Sequence, residues 1–166
     1  MTCGEENLLG IKGDPYAKEN ILIHEFAHAL HQMALIQLNP NFQNEIERCY
    51  RNAIERKIWD DTYASTNVNE YWAEGVQSWF NTNRENDREH GFINTRKELK
   101  KADPPLAQLI KETLGDSEWR YQLPLKRDHV SSHLLGFNYK EEKPFAWPNN
   151  LIIWKKEFES GVISLA

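Results

Sequence analysis

The stretch His24-Glu25-Phe26-Ala27-His28 has the pattern H-E-x-x-H. On a helix, residues four positions apart lie on one face, so both imidazoles can reach one zinc ion while Glu25 stands beside them as a base. Residues 20–38 contain no Gly or Pro, which predicts a long helix around the motif. The motif therefore predicts a zinc site built on this helix.

The apolar residues of this predicted helix form a stripe opposite the histidines, and we expect the stripe to face the core. Ile21 and Leu35 lie on the histidine side, so the helix can also be covered on both faces. The alternative without function is a helix face of mixed polarity on which the histidines are scattered. This alternative is disfavoured because the histidines lie apart from the apolar stripe. The members of the stripe are Leu22, Phe26, Ala29, Leu30, Met33 and Ile36.

His31 continues the face that carries the two motif histidines. Three ligands within two turns of one straight helix would crowd one side of the metal, whereas tetrahedral zinc needs them spread. The extended pattern H-E-x-x-H-x-x-G-x-x-H would need Gly at position 31 and His at position 34, but the chain has His31 and Ala34. We therefore expect His31 to support a ligand or to lie at the surface.

A second acidic motif, Glu70-Tyr71-Trp72-Ala73-Glu74, lies on another predicted helix, which begins near residues 67–69. Glu70, Glu74 and Gln77 share one face, and the opposite, core-facing side carries Trp72, Val76 and Trp79. Beside a divalent cation, the first glutamate can bind the metal while the second accepts the other N–H of a ligand histidine. The alternative is an ordinary surface helix with two acidic residues.

The two motifs together resemble the gluzincin metallopeptidases. Within that family they are similar to the branch that contains the anthrax lethal factor catalytic domain and the clostridial Pro-Pro endopeptidases. In that branch, a Glu-aromatic-aromatic-Ala-Glu block carries the third zinc ligand, and a tyrosine lies seven residues before it. Tyr63 stands at this position relative to Glu70, and the resemblance covers residues 19–81.

The resemblance implies a zinc-dependent endopeptidase that acts on a peptide or protein substrate. It assigns Glu25 as the general base and Tyr63 as the donor on the oxyanion side. It assigns Glu74 to orient a ligand histidine, and the zinc ligands implied are His24, His28 and Glu70. The alternative is a non-catalytic zinc-containing binding or structural domain. Such a domain would need neither Glu25 nor Tyr63, and a structural site would prefer four protein ligands.

Composition excludes several other classes of function. The 166 residues fit one domain, residues 1–166, and the net charge of −5 without a basic stripe argues against nucleic-acid binding. Two cysteines are too few for a disulfide framework, although they leave a single disulfide bridge as an alternative. We expect no membrane span and see no export signal at the start. The sequence does not indicate the compartment or the oligomeric state. Secretion would be expected only by analogy with the family, and only if the chain is truncated at its N-terminus.

The expected fold class is mainly α (α+β), a zincin-like domain. Gluzincins usually place a β-sheet before the active-site helix, but here only one short strand fits, at residues 7–11, so the sheet is reduced or missing. Further helices are predicted at residues 42–58, 97–101 and 104–114. Short strands are predicted at 119–125 and 151–154, a solvated loop at 84–90, and an irregular aromatic tail at 134–166.

Overall fold

The computed structural model describes residues 2–87, 89–129, 132–138 and 141–160. The protein is mainly helical, as expected, and no β-strand occurs in these ranges. The helices are α1 (Glu5–Leu9), α2 (Ile21–Leu30), α3 (Ile36–Leu38), α4 (Phe42–Glu55), α5 (Val68–Trp79), α6 (Arg96–Ala102), α7 (Pro104–Leu114) and α8 (Asn149–Glu159). In the described part of the chain, no helix has both the length and the apolar character needed to cross a membrane.

Helix α2 begins where the sequence predicts. The side chain of Asn20 caps it by accepting a hydrogen bond from the backbone N–H of Ile23. After Leu30 the helix widens into a π-helical turn, His31–Leu35, and α3 continues from it. The predicted helix at 20–38 is therefore present, with a local change of pitch that begins at His31.

Helix α5 lies at the centre of the molecule and packs against α2, α4, α6 and α7. The Asn67 side chain caps it by accepting from the backbone N–H groups of Asn69 and Glu70. Trp72, Val76 and Trp79 are buried, as predicted, but Glu74 and Gln77 on the opposite face are buried too. Interpreting α5 as a surface helix is therefore wrong, and its polar face needs internal partners.

The expectation that the apolar stripe faces the core is wrong for three of its members, although Ile36 at its end does pack against the core. Leu22, Phe26 and Met33 are 40%, 53% and 79% exposed, whereas Ala27 on the other side is 1% exposed. The small side chain of Ala27 lets α5 approach so closely that the indole N–H of Trp72 donates to the Ala27 carbonyl at 3.0 Å. The histidine side of α2 is thus the interior side.

The chain before α2 forms a helix and a loop instead of the predicted strand at residues 7–11. The short run of apolar residues there fits either period, and Gly10 ends α1 in the left-handed region at φ 70°. Asn7 is buried, and its amide donates to Asp14 and to two backbone carbonyls. Its carbonyl oxygen accepts from the N–H of Ile21, so Asn7 joins α1 to the start of α2.

The predicted helices at 42–58, 97–101 and 104–114 correspond to α4, α6 and α7. The prediction of two C-terminal strands is wrong, because residues 119–123 are irregular, a short 3-10 turn follows at Pro124–Lys126, and 151–154 belong to α8. The aromatic tail is consequently part helix, and its residues 161–166 lie outside the described ranges. Both cysteines, Cys3 and Cys49, are free thiols.

Candidate metal centre

Helices α2 and α5 bring His24, His28 and Glu70 together, as the sequence predicts. Nε2 of His24 lies 3.0 Å from Nε2 of His28 and 3.0 Å from Oε2 of Glu70. Nε2 of His28 lies 3.2 Å from the same carboxylate oxygen. Ligand atoms bound about 2.0–2.2 Å from a tetrahedral zinc ion lie about 3.3 Å apart, so the three atoms have nearly the spacing of zinc ligands. The donor set fits a metal ion.

The other ring nitrogen of His24 faces two acceptors on α5. Nδ1 lies 2.9 Å from the amide oxygen of Gln77 and 3.4 Å from Oε1 of Glu74. Burial alone would lower the pKa of His24, but the contacts with Glu74 and Gln77 and the charge of Glu70 outweigh it and raise the pKa to about 9. A divalent ion would displace the proton on Nε2 and leave the one on Nδ1.

Glu74 is buried among partners that favour its charged form. Its Oε2 atom accepts from the Asn83 amide at 2.7 Å and lies 3.6 Å from Nε2 of His90. Burial would raise the pKa of Glu74, but His24, His90 and Asn83 together lower it to about 2. The structure thus places Glu74 where the sequence predicts, next to a candidate ligand and not in the cluster of candidate ligands itself.

The two candidate histidine ligands are supported unequally. Nδ1 of His28 is buried and has no hydrogen-bond partner among the described residues. His28 is also the more exposed ring, with 19% of its side chain accessible against 11% for His24. The orientation of His28 therefore depends on its packing in α2, whereas that of His24 is fixed by hydrogen bonds.

His31 is a core residue and lies outside the cluster of candidate ligands. It is 1% exposed, its ring packs against Phe42 and Trp72, and its Nε2 atom lies 2.9 Å from the amide oxygen of Gln43. Burial lowers its pKa. The expectation that His31 supports a ligand or lies at the surface is wrong, because it lies one turn after the buried Ala27 and packs against Gln43 and Phe42 of α4.

Glu25 and Tyr63 line one cleft of about 680 Å³ together with His24. The Tyr63 ring stacks on that of His24 with centroids 6.2 Å apart, and 41% of the residue is exposed. Burial and the neighbouring charge of Glu70, to which the phenol hydrogen-bonds, raise the pKa of Tyr63. The phenol is therefore neutral at pH 7 and keeps its O–H, a hydrogen-bond donor placed beside Glu70.

The described residues of loop 84–90, which leave out residue 88, are irregular, as predicted, but they are not solvated throughout. His90 is 6% exposed, and its Nδ1 atom lies 2.9 Å from Asp87. Arg84 pairs at 2.7 Å with the buried Glu19. The contacts of His90 and Asn83 and the role of Gln77 were not predicted from the sequence. Only for Gln77 did the sequence contain an indication, since it shares a helix face with Glu74.

The other wall of the cleft comes from the N-terminal segment. Cys3, Glu6 and Asn7 line it together with Tyr16.

No protein-family model, curated protein or solved structure matches the chain. The interpretation of the site therefore depends on its own chemistry and on the two motifs.

Proposed function

We propose that the chain is a zinc-dependent endopeptidase of the gluzincin type. The observation that carries the proposal is the triangle of His24 Nε2, His28 Nε2 and Glu70 Oε2, with edges of 3.0–3.2 Å, beside a cleft that Glu25 and Tyr63 line. Zinc bound by these atoms would lower the pKa of its water to about 7 and polarise a substrate carbonyl.

Glu25 is the proposed general base. It follows His24 directly on α2 and lines the cleft, so its carboxylate is on the side from which a substrate enters. It takes a proton from the attacking water and delivers it to the leaving amine of the peptide bond. Neither step requires Glu25 to bind the metal, and Glu25 is not a member of the ligand triangle.

Tyr63 is the proposed oxyanion donor. Its hydroxyl neighbours Glu70 and its ring covers His24, so it reaches the region in front of the ligand triangle. The oxygen of a substrate carbonyl becomes fully negative only as water attacks. A hydrogen bond from a neutral phenol therefore stabilises the transition state more than the bound substrate.

The number of ligands supports an enzyme over a structural zinc domain. In the part of the chain that is described, the candidate group has three members, and structural zinc sites usually have four. Three protein ligands leave a position for water or substrate. The cleft walls, α1 and loop 84–90, would hold the peptide in place of the sheet edge that gluzincins usually use.

The experiment compares the parent chain with Glu25→Gln by metal analysis and digestion of a peptide library. We expect both proteins to bind one zinc, because the ligands are unchanged. The parent should cleave peptides, and Glu25→Gln should lose about a hundred- to ten-thousandfold in rate, since proton transfer is lost. Glu55→Gln makes the same change at an exposed position on α4 and should match the parent.

Two results would contradict the proposal. A parent protein without stoichiometric zinc would show that the ligand triangle is not a zinc site. A parent that holds zinc yet cleaves no peptide in the library would favour the non-catalytic zinc domain.

A further inference from the structure

Gln77 is a buried amide for which the proposed reaction has no use. It is fully buried on α5, and its Oε1 atom lies 2.9 Å from Nδ1 of His24. Its Nε2 atom lies 3.2 Å from the backbone oxygen of Asn20 and 3.4 Å from the carboxylate of Glu19. Both of these partners can only accept hydrogen bonds. The amide is therefore oriented with its oxygen toward His24.

This orientation determines which nitrogen of His24 carries a proton in the metal-binding form. An amide oxygen cannot donate, so Nδ1 must carry the hydrogen that lies between the two residues. A neutral imidazole with its proton on Nδ1 has its lone pair on Nε2, the atom in the ligand triangle. Gln77 thus selects the tautomer that a metal requires.

Glu74 is the second acceptor for the same N–H group, at the longer distance of 3.4 Å. Its other oxygen is occupied by Asn83 at 2.7 Å. The shorter contact with a well-oriented amide makes Gln77 the closer partner of His24. We propose that Gln77 is a positioning residue of the metal centre, which holds His24 in the metal-binding tautomer and ring orientation.

The proposal rests on the metal centre proposed above but not on peptide hydrolysis. It can be tested with Gln77→Met, which keeps the length and burial of the side chain but removes the acceptor. Ser78→Ala is the matched control. Ser78 is also fully buried on α5, and its hydroxyl oxygen lies 2.9 Å from each of two backbone oxygens, those of Glu74 and Ile93, either of which can accept its one hydrogen.

Three quantities are measured for each protein: zinc affinity by competition with a chelator, the visible spectrum of the cobalt-loaded form, and thermal unfolding without metal. We expect Gln77→Met to lower zinc affinity about ten- to a hundredfold and to shift the cobalt spectrum. Ser78→Ala should keep the affinity and spectrum of the parent even if its unfolding temperature falls. Gln77→Glu restores an acceptor at Nδ1 and should bind zinc more tightly than Gln77→Met.

Parent affinity and an unchanged spectrum in Gln77→Met would overturn the proposal and leave Gln77 as a packing residue. Equal losses in Gln77→Met and Ser78→Ala would overturn it as well. If Gln77→Met does not fold, Gln77→Glu decides: it keeps an acceptor at Nδ1 and makes it a carboxylate, so for the proposal to stand it must bind zinc at least as tightly as the parent and shift the cobalt spectrum. A parent that binds zinc without cleaving peptides would refute the endopeptidase and leave this inference intact. A parent that binds no zinc would refute both.

Discussion

The two faces of α2 contrast in a way that reverses the usual rule for helices. The inner face carries His24 and Ala27, which are buried against α5, and it continues into the π-helical turn with His31, which packs against Phe42 of α4. The outer face carries Leu22, Phe26 and Met33 and is exposed. The buried side of this helix is therefore the more polar one.

The difference shows that burial follows the availability of partners. Each inner histidine has a glutamine opposite it: Gln77 on α5 for His24 and Gln43 on α4 for His31. These hydrogen bonds offset part of the cost of burying the imidazoles, although Nδ1 of His31 is buried without a hydrogen-bond partner among the described residues. Full burial of a phenylalanine is favourable by about 1.5–3 kcal/mol, and the outer Phe26, which is 53% exposed, gains only part of this contribution within the described chain.

The largest expected effect tests the packing behind the inner face. Phe42 is 2% exposed, and its ring packs edge-on against those of His31 and Trp72 at centroid distances of 5.4 and 5.2 Å. Phe42→Ala should lower the free energy of unfolding by about 3–5 kcal/mol, because a large cavity replaces the ring. Chemical denaturation of the metal-free protein measures the change. A loss below about 1 kcal/mol would mean that this layer is loosely packed.

The next effect tests the chemistry in front of the inner face. Tyr63→Phe should lower the rate constant kcat by about a hundred- to a thousandfold with little change in KM, because one oxyanion donor is removed. Zinc content should stay at the parent level, since the phenol is not in the ligand triangle. Steady-state kinetics on a cleaved library peptide measure the effect. Equal kcat in the two proteins would make Tyr63 a packing residue only.

Features set by local sequence could be predicted. Helix α7 begins and ends as expected because Asp103 caps it, proline occupies its first position and Gly115 follows its last. The proximity of His24 to His28 follows from their spacing of four on one helix. The second motif predicted that Glu70 would join the two histidines. The contact itself depends on how α2 and α5 pack.

Features set by tertiary partners could not be predicted. Hydrophobic periodicity identified the stripe on α2 but gave no information on which face meets α5. That choice depends on Gln77, Gln43 and the small Ala27, which periodicity does not weigh. His90 was missed for a related reason, because a charge-dense segment is normally solvated. The burial of His90 depends on its contacts with Glu74, which lies on α5, and with Asp87, which lies in the same loop.

The smallest expected effect tests the outer face directly. Phe26→Ala makes the same substitution as Phe42→Ala, but at a side chain that is 53% exposed. Since this ring contributes little packing, the free energy of unfolding should change by no more than about 0.5 kcal/mol. The same denaturation experiment measures both variants, so their difference isolates burial from residue type. A loss above about 1.5 kcal/mol would show that the outer face is covered in solution, and the contrast between the two faces of α2 would then be wrong.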